Sequence, residues 1–349
     1  MRNPAKMRWK FRESLRVAQI ENTSAGWNRL ECDTHPLNLS ATLASGQAFR
    51  WRQDVSGIWW GAVGHTVLAL WQRAGNPDAP LFWQTFPQHG QLFIVQQYLR
   101  LDVPLNSLYL EWTCAEPRIQ EAVREFRGLR ILRQPPEECF FAFQCATCNT
   151  VVKIERTIHR LASRYGDPID IGLPTLAASN ERVFPIDPPS LTAPLAIPTP
   201  LRAFPELDAL AAADEQDLRS DLWGYRAPRV IALARELQNR GPKWLPELRN
   251  VSYAEAKAAL VELHGIGEKV ADCICLFSLD KDEAVPVDTH VRQIAYRLFE
   301  PDLENKSLTP RVYAAIADAY RQRFGAHAGW AQQYLFLGAL RSPPGRACG

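Results

Sequence analysis

The sequence predicts an α+β protein. A small antiparallel sheet domain with helices is expected over residues 1–130, and a mainly helical domain over 131–349. Three observations carry this. Short aromatic and β-branched segments broken by glycine fill the first part of the chain. Apolar spacing turns helical from about residue 91, and from 206 to 340 the helical period is almost unbroken.

Taken in order, Phe49–Trp51, Ile58–Val63 and Thr66–Trp71 read as strands, with Gly57 and Gly64 as punctuation. Asp54–Gly57 reads as a hairpin turn. Gln91–Leu101, Arg118–Phe126 and Pro136–Thr147 carry apolar residues at helical spacing. Gly128 and the Pro135–Pro136 pair interrupt that period and place a boundary near 128–135. Residues 149–165 predict a helix with Val152, Ile154, Ile158 and Leu161 along one side, stopped by Gly166 and Pro168. Residues 185–205 hold seven prolines, so they predict an extended connector and exclude a regular helix or central strand. Later stop signals are Gly241–Pro242, Gly325 and Pro343–Pro344. The sequence has no internal repeat and no low-complexity tract.

The 349 residues suffice for two or three domains. Hydrophobic residues at 46 % and charged residues at 22 % exclude wholesale disorder and a collagen-like chain. No apolar run reaches the roughly 18 residues that cross a bilayer, so no membrane role is expected. Met1–Arg16 is basic without a long apolar core, unlike a secretory signal; composition alone does not separate it from a short transit peptide. The net charge of +2, from 40 Lys and Arg against 38 Asp and Glu, leaves any electrostatic footprint to local patches. Eight cysteines in a chain this long are too sparse for a disulfide framework and fit a reducing compartment.

The chemistry concentrates at Leu263-His264-Gly265-Ile266-Gly267-Glu268-Lys269-Val270-Ala271. Two glycines form a tight hairpin between a helix over Tyr253–Leu263 and another over Glu268–Leu279. They leave backbone N–H groups bare at a helix start, a phosphate-binding arrangement. On its own this reads equally as a plain helix–helix turn. Lys269 in the first turn of the second helix opposes the helix dipole. That field, with partial burial, predicts a lowered lysine pKa and a nucleophilic amine. Nineteen residues on, Asp288 precedes a further helix as an N-cap candidate. Capping alone accounts for an aspartate there, yet a lysine and an aspartate at two helix starts can also share one cleft.

Residues 252–299 resemble the helix-hairpin-helix DNA glycosylases. Five segments narrow the resemblance to the 8-oxoguanine DNA glycosylase/AP lyase branch. They are Ser45-Gly46-Gln47-Ala48-Phe49-Arg50-Trp51, Leu132-Arg133-Gln134, Gly224-Tyr225-Arg226-Ala227, Lys269-Val270-Ala271-Asp272-Cys273-Ile274-Cys275-Leu276 and Ala328-Gly329-Trp330-Ala331-Gln332. They run in order across about residues 40–340.

The resemblance implies a base-excision-repair enzyme removing 8-oxoguanine from damaged double-stranded DNA, acting as a monomer without cofactor or metal. Lys269 is the implied nucleophile on the deoxyribose C1′, giving a Schiff base and then strand cleavage by β-elimination. Asp288 assists by electrostatics and proton handling. Gly46 offers its carbonyl to the N7–H that oxidised guanine has and guanine lacks. Cys273 and Phe336 sandwich the extruded base, and Gln332 bonds its Watson–Crick edge. For Phe336 and Cys273, simple core packing is the competing reading. Gly265, Gly267, Val270 and His290 are implied DNA contacts, as are Asn149, Tyr225 and Arg226. The enzyme would be nuclear in a eukaryote and in the cytoplasm or nucleoid of a bacterium.

The chain departs from the family pattern where the strand opposite the lesion is held. Cys148 stands where the family fills the vacated gap with Asn, and Lys153 stands where an arginine contacts the orphaned cytosine. Lysine lacks the bidentate fork of arginine, so a weaker cytosine preference is expected. Cys145-x-x-Cys148 finds no second cysteine pair at zinc-ribbon spacing. Residues 118–164 hold nine Lys and Arg against five Asp and Glu, consistent with a DNA-facing side. Two other readings stay open: a glycosylase for another damaged purine, and a helix-hairpin-helix binding module without chemistry.

Overall fold

The computed structural model describes residues 26–146, 149–172, 188–189, 201–300, 302 and 306–341. Cys148, most of the proline-rich connector and the first 25 residues lie outside this set. The fold is α+β, as expected.

Five antiparallel strands form a sheet in the order β1-β5-β4-β3-β2, with β1 Asn28–Leu30, β2 Arg52–Gln53, β3 Trp59–Val63, β4 Thr66–Trp71 and β5 Leu81–Phe86. The β3–β4 hairpin pairs Val63 with Thr66, and the Asp54–Gly57 turn closes on a Gly57 N–H bond to the Asp54 carbonyl. β4 is apolar along most of its length because both sheet faces are covered. Leu68 and Leu70 point to helices α1 (Leu39–Leu43) and α2 (Leu92–Tyr98), where they meet Leu39, Leu43 and Val95. Val67, Ala69 and Trp71 point the other way, into a cluster with Trp27, Trp60, Ile169 and Ala203. Ile169 belongs to β6 (Pro168–Ile169), which pairs with β7 (Leu201–Arg202).

Phe49–Trp51 is a correction to the sequence reading: it is not a strand. Phe49 packs edge-on against Phe143 in the helical core, and the Trp51 indole donates to the Tyr98 hydroxyl at 2.8 Å. These aromatic residues serve packing, a use that β-propensity does not distinguish from a ladder.

A second core joins α3 (Leu105–Ala115), α4 (Gln120–Glu125), α5 (Pro136–Cys145) and α6 (Val151–Tyr165) to the C-terminal helices. These include α7 (Leu207–Ala211), α8 (Glu215–Leu218), α9 (Ala227–Arg240), α10 (Trp244–Glu247), α11 (Tyr253–Val261), α12 (Glu268–Ser278), α13 (Thr289–Leu298), α14 (Pro310–Phe324) and α15 (Ala328–Arg341). α5 is buried along nearly its whole length and packs against α12. Segment 128–134 runs between the sheet and this core. There Arg130 is fully buried and donates to the carbonyls of Pro36, Arg100 and Val103. Burial pulls its guanidinium down to about 10. Among the described residues no helix is long and apolar enough to cross a membrane.

Candidate active site

Helix α11 starts with a capping box between Ser252 and Glu255, and the chain turns at Gly265 and Gly267 into α12. Gly265 has φ +82°, and an added Cβ there would lie 2.7 Å from the Arg229 Nε. The left-handed backbone and the close guanidinium both favour glycine at this position. Gly267 is the N-cap of α12 and has open space around it, while Val270 is buried beneath the turn.

Lys269 enters α12 at its second position and points inward. Its Nζ lies 5.4 Å from the centroid of the Phe143 ring, a cation–π contact. Asp288 is the N-cap of α13, its Oδ1 accepting the Val291 N–H at 2.8 Å. Capping and a place in the cleft therefore coexist in one carboxylate. Lys269, Asp288, Gly46, Cys273, Gln332 and Phe336 all line one cavity of about 80 Å³. Tertiary structure thus gathers six of the predicted residues from four separate parts of the chain.

The expected lowering of the Lys269 pKa is a correction. The amine is held above the ordinary lysine value, chiefly by the Cys273 sulfur and by its hydrogen bond to it, with Asp288 adding and burial opposing. Burial raises the Cys273 thiol to about 11, with Lys269 opposing that rise. Near neutral pH the pair is thus an ammonium beside a protonated thiol. The helix-start field is outweighed because the Cys273 sulfur accepts a hydrogen bond from the amine and the Asp288 carboxylate adds its charge.

Phe336 is half-buried, neither sealed in the core nor free, and meets exposed His290 edge-to-face at 6.0 Å. Gln332 is buried, and its Oε1 accepts from the Gln333 amide at 3.0 Å. Gly46 has φ +80°, with Val151 the nearest neighbour of an added Cβ, at 3.7 Å. Tyr225 is 68 % exposed, and the Arg226 guanidinium stacks over its ring at 4.5 Å. Lys153 is exposed in the first turn of α6, whose cap is Thr150. Arg226 and Lys153 both oppose the burial that raises the Cys145 thiol, which places both cations near the end of α5. Asn149 donates to the Cys145 carbonyl at 2.7 Å. The cysteine at 148 lies outside the described residues. Among those described, no group of three His, Cys, Asp or Glu residues is placed to hold a metal.

Sequence reasoning missed Ser45, Phe143, Phe277, Pro286, Val291 and Gln333 as walls of the cavity. A signal existed for Phe277, which follows Lys269 and Cys273 at successive intervals of four along α12 and so shares their face. None existed for Phe143, which reaches the cavity only because α5 packs on α12; it stacks on Phe277 with centroids 5.4 Å apart.

Residues 29–140 match the model of the 8-oxoguanine DNA glycosylase N-terminal domain. Residues 149–313 match that of the HhH-GPD superfamily base excision DNA repair proteins. The chain is 34 % identical over 320 residues to the N-glycosylase/DNA lyase OGG1 of Arabidopsis thaliana, covering 90 % of this chain and 80 % of that protein. It is 28 % identical to the N-glycosylase/DNA lyase of Saccharomyces cerevisiae, covering 89 % and 85 % of the two chains. The Clostridium acetobutylicum 8-oxoguanine glycosylase/lyase, solved with double-stranded DNA containing cytosine opposite 8-oxoguanine, superposes with a TM-score of 0.69 at 25 % identity. That likeness covers 87 % of this chain and 92 % of the other.

Proposed function

This chain belongs to the 8-oxoguanine DNA glycosylase/lyase family of the HhH-GPD superfamily, and from that membership we propose that it excises 8-oxoguanine from duplex DNA and then cleaves the strand. It is a bifunctional DNA N-glycosylase and AP lyase of base-excision repair. The observation carrying the proposal is the meeting of Lys269, Asp288, Gly46, Cys273, Gln332 and Phe336 around one cavity.

The base must leave the stack to be reached. Tyr225, with Arg226 stacked behind it, is the exposed aromatic suited to wedge the duplex, and Lys153 and Arg226 face the opposite strand. A cavity of about 80 Å³ is well below the roughly 300 Å³ of a small-ligand site, so a wall yields as the base enters. Phe336 is the half-buried aromatic wall, since Phe143 and Phe277 are buried. In the filled pocket Cys273 and Phe336 cover the faces of the base, Gln332 bonds its Watson–Crick edge and the Gly46 carbonyl accepts its N7–H.

In the chemical step the N-glycosidic bond breaks, and its electron pair leaves with the base, which takes up a proton. The Asp288 carboxylate stabilises the positive charge that develops on the sugar. Lys269 gives up a proton and its nitrogen bonds to C1′. Ring opening gives an imine, a C2′ proton is removed, and the 3′ phosphate departs with the C3′–O electron pair. The ammonium resting state makes deprotonation of Lys269 part of the reaction path.

A duplex carrying a single 8-oxoguanine opposite cytosine tests the reading. Base release with strand nicking is expected, together with a borohydride-trapped adduct that Lys269→Ala abolishes. Trapping that survives in Lys269→Ala removes Lys269 as nucleophile, and nicking confined to abasic sites removes the base assignment.

A further inference from the structure

Two buried glutamines hold the opposite walls of the cavity in register. Gln47 directly follows Gly46, so its N–H and the Gly46 carbonyl share one peptide plane. Its side chain is fully engaged. Nε2 donates to the carbonyls of Thr42 and Arg130 at 3.0 and 2.8 Å, and Oε1 accepts the Leu132 N–H at 2.8 Å. Its own carbonyl accepts the Gln134 side-chain amide at 2.6 Å. Gln134 then reaches the other wall: its backbone N–H donates to the carbonyl of Phe277 at 2.9 Å. Phe277 lines the cavity from α12, the helix that carries Lys269 and Cys273. Arg249 braces the same junction, donating to the carbonyls of Gln134 and Ser278 at 3.0 and 2.7 Å.

We infer that Gln47 and Gln134 are positioning residues for base recognition, fixing the Gly46 carbonyl against the α12 wall through Gln47, Gln134 and Phe277. The inference rests on the assignment of Gly46 as reader of the base. A single accepted hydrogen bond discriminates only while its acceptor keeps both distance and direction, which fall off steeply outside a narrow range. Gly46 itself supplies little stiffness, because glycine is the residue with the freest backbone. The restraint comes from its neighbour. Reaction at an abasic site needs Lys269 and Asp288 but no base contact, so the glutamine bridge bears on one half of the activity and not on the other.

Gln134→Met and Gln47→Met keep side-chain length and burial while deleting the amide. Each is assayed as the full chain for single-turnover release of 8-oxoguanine opposite cytosine, and separately for cleavage at a preformed abasic site opposite cytosine. Rates are normalised to the molecules trapped by borohydride on abasic DNA, so a partly unfolded variant is still read. In Gln134→Met, which loses one hydrogen bond, release of 8-oxoguanine is expected to fall about tenfold, and in Gln47→Met, which loses three, at least as far, while abasic cleavage stays within about twofold in both. Equal loss in both assays, or loss in neither, overturns the inference. Gly46→Ala in the release assay separates the two layers. If it leaves release unchanged, the Gly46 reading fails and takes the inference with it. If it slows release while both glutamine variants do not, only the inference fails.

Discussion

The hydroxyl of Tyr313 donates to the buried carboxylate of Asp272 at 2.6 Å and accepts the backbone N–H of Val287 at 3.1 Å. Asp272 sits on α12 three residues after Lys269, and Val287 immediately precedes Asp288. One phenol therefore couples the helix bearing the amine to the loop bearing the carboxylate. Asp272 also accepts from Tyr253 at 2.6 Å and from Lys257 at 3.0 Å, so the charge is fully surrounded by donors. Tyr313→Phe leaves the Val287 N–H unmet and takes from Asp272 Oδ2 one of its two donors, leaving only Lys257 on that oxygen. A loss of about 1.5–3 kcal/mol in unfolding free energy is expected, with slower base release. Denaturant titration beside single-turnover kinetics checks it, and unchanged stability would remove the bridge.

The raised pKa of Lys269 fixes the sign of a pH effect. Attack needs the neutral amine, whose fraction grows as pH rises toward the folded pKa. Early borohydride trapping on preformed abasic DNA should therefore accelerate from neutral to alkaline pH. Cys273→Ala removes the sulfur that accepts a hydrogen bond from the ammonium and so favours the charged form. The profile of this variant should shift to lower pH, and an alkaline shift would contradict the assigned cause.

Lys153 predicts relaxed recognition of the opposite base. A bidentate arginine contact with a base is worth about 1–3 kcal/mol of discrimination, and an ammonium does not reproduce the fork. Lys153→Arg should sharpen the preference for cytosine over A, G and T in single-turnover excision. An unaltered ranking and spread would place Lys153 away from the orphaned base.

Gly265→Ala tests the hairpin. Arg229 can swing aside from the new methyl, but φ +82° cannot be relieved locally. A left-handed backbone costs a non-glycine residue about 1–2 kcal/mol. Lower thermal stability and weaker binding to abasic-analogue duplex are expected together. Wild-type affinity in a destabilised variant would separate the turn from DNA contact.

His159 confers acid sensitivity. Burial pushes its imidazole down to about 3, with Arg52 and Arg50 adding. The folded state thus favours neutral histidine, so this stabilisation is present above the unfolded value near 6.5 and is lost as pH falls from there toward 3. The slope approaches about 1.4 kcal/mol per pH unit within that window. Urea melts of His159→Gln at pH 7 and pH 5 should differ less than those of wild type. An equal difference would move the acid sensitivity elsewhere.

Several of the groups that meet at the cavity are legible in the sequence because the proposed chemistry imposes local patterns. A glycine hairpin opening a helix, a lysine in the first turn and an aspartate before the next helix are all written within residues 263–291. Periodicity placed most helices and the β3–β4 hairpin, since burial on one face or two leaves a spacing in the chain. It misread Phe49–Trp51, where Phe49 packs into the helical core and Trp51 into the core beside the sheet instead of pairing in a ladder.

The order of most elements, and the candidate site groups they carry, can be read from the chain alone. Tertiary structure alone decided their environment. It brought Gly46 opposite α12 across more than two hundred residues of chain, set Phe143 beneath the Lys269 amine and put the Cys273 sulfur in contact with it. That last contact reversed the protonation expected from helix position. The reason is physical: a pKa answers to charges and acceptors a few ångströms away and to burial, and neither is encoded at the residue that titrates.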